Sequence, residues 1–208
     1  MMITSIFFDL DGTLIDSKKD IVVSVNEIRK DISLPPLDEK TIISFVGIGT
    51  HYLLRNVIPN NYDSEFFYDK FIEYYKKNSL KYSKLYDGVE ELLEKLSSYK
   101  KALITNKSYQ VTMEIVKKFN WQNTFEIVYG GDSLPERKPS PYPILKAMEE
   151  LNLKKEEVLF FGDSSPDYIS SRDAGVIFAF AKYGYEKKHK NFENSFLIEK
   201  PLDLLNFL

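Results

Sequence analysis

Ser5-Ile6-Phe7-Phe8-Asp9-Leu10-Asp11-Gly12-Thr13 is an apolar run that ends in two carboxylates, a glycine and a hydroxyl. Its first four residues read as a short buried strand, and Gly12 permits the turn that follows. The residue between the two acids can face away while Asp9 and Asp11 face one cavity. A carboxylate at a strand end can act as a nucleophile or hold a hard cation. An isolated Asp-x-Asp is also common in solvated turns, so the rest of the chain decides its meaning.

Similar apolar runs recur at residues 101–105, 126–129, 158–161 and 176–181. Helical periods separate them at 108–119, 141–151 and 166–174. Such alternation predicts βαβ units: an α/β fold with a Rossmann-like parallel sheet covered by helices on both faces. Ser140-Pro141 reads as an N-cap followed by proline at the first helical position. Residues 196–198 predict an edge strand ahead of a short final helix.

The alternation stops between residues 16 and 83. There the pattern predicts helices near 17–29, 38–45, 50–57 and 64–82, broken by Pro35-Pro36, Gly47-Ile48-Gly49 and Pro59-Asn60-Asn61. A structureless connection this long would be implausible inside a sheet domain. Residues 16–83 are therefore expected to form a small all-helical cap, and 1–15 with 84–208 the core. Hinges are expected near 14–16 and 84–88. Phe67, Phe71, Tyr74 and Tyr75 follow i, i+4, i+7, i+8 spacing, which reads as the cap's own core rather than an aromatic ligand box.

Composition narrows the function. A chain of 208 residues, 43% hydrophobic and 28% charged, fits a globular protein of one or two domains. A formal charge of −3 argues against a broad phosphate-neutralising surface for nucleic acid. With no cysteine, disulfides, thiolate catalysis and cysteine zinc sites are excluded. No apolar stretch approaches the ~18 residues of a membrane span, and the N-terminus does not resemble a signal peptide. A cytoplasmic monomer or homodimer is the expectation, acting on a small molecule away from membrane and nucleic acid.

Ligands of open parallel sheets bind beyond the carboxyl ends of the strands. Four polar segments fall there: Asp9-Leu10-Asp11-Gly12-Thr13, Thr105-Asn106-Lys107, Arg137-Lys138-Pro139 and Gly162-Asp163-Ser164-Ser165-Pro166-Asp167. Asp9 and Asp163 end different strands and can share a hard cation such as Mg²⁺. Lys138 adds a fixed positive charge, and the Thr105 hydroxyl with nearby N–H groups can hold anionic oxygens. Asp163 and Asp167 can also cap the following helix, and Asn106 and Lys107 can simply shape their loop.

In order and spacing, with an insert after the first, these segments resemble the haloacid dehalogenase superfamily over essentially the whole chain. Thr105-Asn106-Lys107, the string Gly130-Gly131-Asp132-Ser133-Leu134-Pro135-Glu136-Arg137-Lys138-Pro139 and Phe45-Val46-Gly47-Ile48-Gly49 further resemble its phosphoglycolate phosphatase branch. The resemblance implies Mg²⁺-dependent hydrolysis of a small phosphorylated metabolite, foremost 2-phosphoglycolate, through an aspartyl-phosphate. It implies Asp9 as nucleophile, and Asp11 as general acid and then base. The metal would be held by Asp9, Asp163 and the Asp11 backbone carbonyl, with Asp167 supporting the metal shell or Lys138. Gly12, Thr105, Asn106 and Lys138 would bind phosphate.

In the cap, Gly47 and Arg55 are candidates to read the leaving group, Arg55 with plain solvent exposure as its alternative. Asp11 argues against dehalogenase and phosphonatase chemistry, because a departing alkoxide needs a proton and a halide does not. Pyrophosphatase, nucleotide or sugar phosphatase and β-phosphoglucomutase-like activities share all four segments. A phospho-accepting receiver domain would lack the insert, and a non-catalytic binding protein would not need every reactive group. His51 and His189 read as structural or surface residues and Trp121 as packing. Lys187-Lys188-His189-Lys190 reads as a solvated charge run.

Overall fold

In the computed structural model, which describes residues 3–59, 64–78, 81–186 and 192–208, the opening apolar run is a central strand. The chain begins with β1 (Ser5–Phe8), all four residues buried, and β2 (Ile15–Asp16). Four helices follow: α1 (Lys18–Asp31), α2 (Glu39–Ile43), α3 (Thr50–Val57) and α4 (Ser64–Asn78). After β3 (Lys84–Leu85) come α5 (Val89–Lys95), β4 (Lys100–Ile104), α6 (Tyr109–Lys118) and β5 (Ile127–Tyr129). The remainder is α7 (Tyr142–Leu151), β6 (Val158–Gly162), α8 (Ser165–Ala174), β7 (Ile177–Ala181) and β8 (Phe196–Ile198). The short helix expected after β8 is a 3₁₀ segment, Pro201–Phe207.

The main sheet has the order β5-β4-β1-β6-β7-β8, and every pairing in it is parallel. Phe8 sits opposite Leu103 on one side and Phe161 on the other, so β1 is paired along both edges. Alternate side chains enter opposite layers. Ile6, Phe8, Leu103 and Phe161 pack with α5 and α6 through Leu92, Val111 and Ile115. Phe7, Ala102, Ile104 and Phe160 pack with Ile144 and Ala147 of α7. Near-continuous apolar strands are what burial on both faces demands.

The four helices between β2 and β3 form the cap. α1 packs against α2 and α4, and α3 against α4. Val25, Ile28, Leu54, Val57, Phe67 and Tyr75 fill their centre. Within the expected aromatic stripe, Tyr74 turns outward and its hydroxyl donates to Asp31 Oδ2 at 2.5 Å. α2 is shorter than expected because Asp38 caps it from outside, accepting from the Thr41 N–H at 2.8 Å. α4 ends at Asn78, and Lys81 and Tyr82 are not helical. Asn60, Asn61, Lys187, Lys188, His189 and Lys190 lie outside the described residues.

The expected hinges meet each other. β2 and β3 pair antiparallel, Ile15 opposite Leu85 and Asp16 opposite Lys84, so the cap's two connections run as one ribbon. Buried Asp20, in the first turn of α1, accepts from the Ser83 N–H at 2.7 Å and the Ser83 hydroxyl at 2.5 Å. The first cap helix is thereby tied to the returning strand.

Candidate active site

Asp9 continues the sheet ladder for one residue, its N–H donating to the Phe161 carbonyl at 2.9 Å. That fixes its backbone and turns its carboxylate toward Lys138. The Lys138 ammonium, 2% exposed, lies 2.7 Å from Asp9 Oδ1 and 2.6 Å from Asp167 Oδ1. Its third donor reaches the Ile104 carbonyl at 2.6 Å. Burial alone would depress this ammonium, but Asp167 and Asp9 outweigh it and raise the lysine above its ordinary value. Asp9 is pushed up to about 7, mainly by burial and with help from Asp167, against the opposing pull of Lys138. Asp163 is raised well above the usual carboxylate range by burial, then by Asp9 and Asp167.

Asp9, Asp163 and Asp167 each offer a carboxylate oxygen within 4.8 Å of the others. Asp167 is otherwise engaged. Besides Lys138, it accepts through Oδ2 from the Asp163 N–H at 3.2 Å, the Ser164 N–H at 3.0 Å and the Ser164 hydroxyl at 2.6 Å. It therefore caps α8 and braces Lys138 at once. Asp9 and Asp163 remain as the pair suited to a hard cation.

The charge balance admits one. Asp9, Asp11, Asp163 and Asp167 face two ammonium groups, Lys107 and Lys138, leaving four minus two, or two, formal negative charges. Buried charge of that size is relieved either by proton uptake, the direction in which Asp9 and Asp163 are pushed, or by a divalent cation. Gly12 makes room for Asp163. At φ +90°, a Cβ there would lie 2.1 Å from Asp163 Oδ2.

Asp11 looks the other way. Its carboxylate accepts from Lys107 Nζ at 2.8 and 3.1 Å and from the Ser17 hydroxyl at 2.5 Å. Ser17 also meets Tyr185, whose hydroxyl accepts from the Ser17 N–H at 2.8 Å. The Tyr185 N–H in turn donates to Asp163 Oδ2 at 2.5 Å. The loop after β7 therefore links Asp163 to the residue that holds Asp11.

Thr105 is buried at the end of β4, and its hydroxyl accepts from the Lys107 N–H at 3.2 Å. Asn106 joins cap and core, donating from Nδ2 to the Gly47 carbonyl at 2.8 Å and the Lys138 carbonyl at 2.7 Å. A cavity of about 990 Å³ lies between the two parts. Asp9, Asp11, Thr105 and Asp163 line its floor, and Gly47, Leu53 and Tyr75 its roof. Lys138 and Asp167 sit behind that floor.

Two sequence expectations are refined. Arg55 is exposed and does not line the cavity. Leu53 does, and a residue two places further along a helix points about 200° away. The aromatic stripe is more than cap core, because Phe71 and Tyr75 also face the cavity. Reasoning from sequence also undervalued Lys107 and missed Ser17, Tyr75 and Tyr185. Lys107 carried a signal, its place beside Thr105 at a strand end, whereas the Tyr185 contact to Asp163 is made by backbone, which any residue type supplies. His51 stacks on Tyr68 with ring centres 4.3 Å apart, and Trp121 is buried between Phe119 and Phe125.

Sheet order, helical insert and clustered carboxylates together define a class. The family model for haloacid dehalogenase-like hydrolases matches residues 6–181, and the chain belongs to that family. Among its relatives, the phosphoglycolate phosphatase of Aquifex aeolicus is 33% identical over 205 residues, covering 98% of this chain and 95% of that protein. The phosphoglycolate phosphatase of Colwellia psychrerythraea is 34% identical over 191 residues, covering 86% of this chain and 84% of its own length. A crystal structure described as a predicted phosphoglycolate phosphatase from Haemophilus somnus superposes with a TM-score of 0.93 at 29% identity, covering 100% of this chain and 98% of the other.

Proposed function

We propose that this hydrolase cleaves small phosphate monoesters, with 2-phosphoglycolate as substrate and Mg²⁺ as cofactor. The observation that carries the reading is strand-end Asp9, buried between Lys138 and Asp163 on the floor of a capped cavity. Relatives matched over most of this chain carry the name phosphoglycolate phosphatase. The absence of cysteine fits a cytoplasmic site of action. Among the described residues no helix is long and apolar enough to cross a membrane.

Asp9 attacks phosphorus in line, and the bond from phosphorus to the ester oxygen breaks, leaving an aspartyl-phosphate. Asp11 gives its proton to the departing oxygen. It then takes one from the water that attacks phosphorus and frees Asp9. Lys138 fixes the Asp9 carboxylate, while the Thr105 hydroxyl and nearby N–H groups hold the phosphoryl oxygens. Asp9 and Asp163, with the Asp11 backbone carbonyl, would hold Mg²⁺. When bound, it neutralises phosphate charge so that two anions can approach.

Phosphate release from a substrate panel with Mg²⁺ tests the assignment. The highest kcat/KM is expected for 2-phosphoglycolate, without any bisphosphate activator. Faster hydrolysis of pyrophosphate, nucleotides or sugar phosphates would reassign the substrate. Little phosphate release with dependence on a bisphosphate would mean a mutase.

The metal has a readout besides activity. Asp9 is raised from 3.8 to about 7, so between those values the folded chain keeps a proton that the unfolded chain has lost. Stability therefore falls as pH rises through that window. A cation paired with the ionised carboxylate reverses the loss. Mg²⁺ should raise Tm more at about pH 8 than at about pH 5, and equal shifts would count against Asp9 as a ligand.

The loop at residues 47–49 roofs the cavity beside Asn106. Gly47 has φ +107°, a conformation that strains any side chain, and its carbonyl is held by Asn106. Gly47→Val should lower kcat/KM for 2-phosphoglycolate by roughly tenfold more than for an aryl phosphate. Equal losses on both would remove the loop as a selector.

A further inference from the structure

We propose, building on the phosphoglycolate reading above, that Lys107 recognises the leaving group by binding a carboxylate carried on the departing alcohol. Lys138 cannot take that part. An ammonium has three donors, and those of Lys138 are engaged by Asp9 at 2.7 Å, Asp167 at 2.6 Å and the Ile104 carbonyl at 2.6 Å. Lys107 is arranged differently. Its hydrogen bonds of 2.8 and 3.1 Å go to the single carboxylate of Asp11, and its side chain lines the cavity.

The cap provides its seat. The Lys107 ammonium stands 4.4 Å from the centre of the Tyr75 ring on α4, a cation–π contact. Among the described residues no acceptor meets the O–H of Tyr75, which is buried in the same wall beside the Lys107 ammonium. Burial pushes that hydroxyl upward, with Lys107 opposing, so it stays a protonated donor at neutral pH. A buried donor left unmatched beside a lysine is a position where an incoming anion gains two partners. The other lysines of the cavity are less suited. Lys18 rests over the Tyr185 ring at 4.7 Å, and Lys40 is exposed on α2.

The contact that seats Lys107 also restrains the acid. With Lys107 and Ser17 both on its carboxylate, Asp11 is held at the seam between cap and core. A substrate carboxylate that reaches Lys107 and Tyr75 replaces Asp11 as the ammonium's partner. The Asp11 carboxylate is then released toward the ester oxygen and, no longer paired with the ammonium, takes from water the proton that it passes to that oxygen. Recognition of the leaving group and release of the acid become one exchange.

The test compares 2-phosphoglycolate with 2-hydroxyethyl phosphate, whose leaving group is similar in size and bears no carboxylate. The wild type should favour 2-phosphoglycolate in kcat/KM by about tenfold or more, and Lys107→Met should bring the ratio close to one. Lys107→Arg should keep part of the preference. If the methionine variant does not fold, Lys107→Gln carries the same expectation. Equal losses on both substrates would overturn the inference and leave the proposed function standing. Hydrolysis of 2-hydroxyethyl phosphate without hydrolysis of 2-phosphoglycolate would overturn both.

Discussion

Asp9→Asn should lower kcat by roughly four orders of magnitude or more, the scale on which removal of an enzyme nucleophile is felt. The fold should survive. Asparagine keeps an oxygen to accept from Lys138, which now lies 2.7 Å from Asp9 Oδ1, and it adds no volume to a site that is 7% exposed. Unfolding free energy should change by no more than about 1 kcal/mol, since the pair loses a costly buried charge along with its attraction. Rapid quenching with labelled substrate should trap phosphate on the wild type and none on the variant. Turnover near the wild-type rate would exclude Asp9 as the group that takes phosphate.

Lys138→Met should be the most destabilising single change in the site, by about 3–5 kcal/mol at neutral pH. The methionine fills most of the space, so the loss measures charge rather than packing. Asp9 and Asp167 would be left buried without their shared cation, and Asp9 already titrates near 7 with the lysine present. The deficit should shrink toward pH 5, where the stranded carboxylates take up protons. Urea unfolding at two pH values measures both effects. A loss below about 1 kcal/mol, or one independent of pH, would show that Lys138 is not the charge that makes this cluster tolerable.

The sheet could be read in advance because its central strands are buried on both faces. Phe7-Phe8, Ala102-Leu103-Ile104 and Phe160-Phe161 leave little choice of environment. The same apolar runs place Asp9, Thr105 and Asp163 just beyond strand ends. Contacts between distant loops were harder to read. Lys107 reaches Asp11 across 96 positions, and nothing near either residue announces that distance is closed. β2 and β3 have two residues each, too short for any periodicity to register. For Arg55 the sequence left two placements open, the substrate cavity or solvent. Its charge invited a role, while the phase of α3, set by buried Leu53, Leu54 and Val57, turns it to solvent.

The paired ribbon of β2 and β3 has a topological consequence. Entry to and exit from residues 18–78 lie side by side, and Asp20 bolts the first cap helix to the return path at Ser83. A module attached through adjacent leads is joined to the sheet at one place, much like a door on a single post. It can also be exchanged for another of different size without rethreading a strand of the main sheet. Diversification of such enzymes therefore has a ready locus: the helical insert can be traded while Asp9, Asp11 and Asp163 stay where the sheet set them.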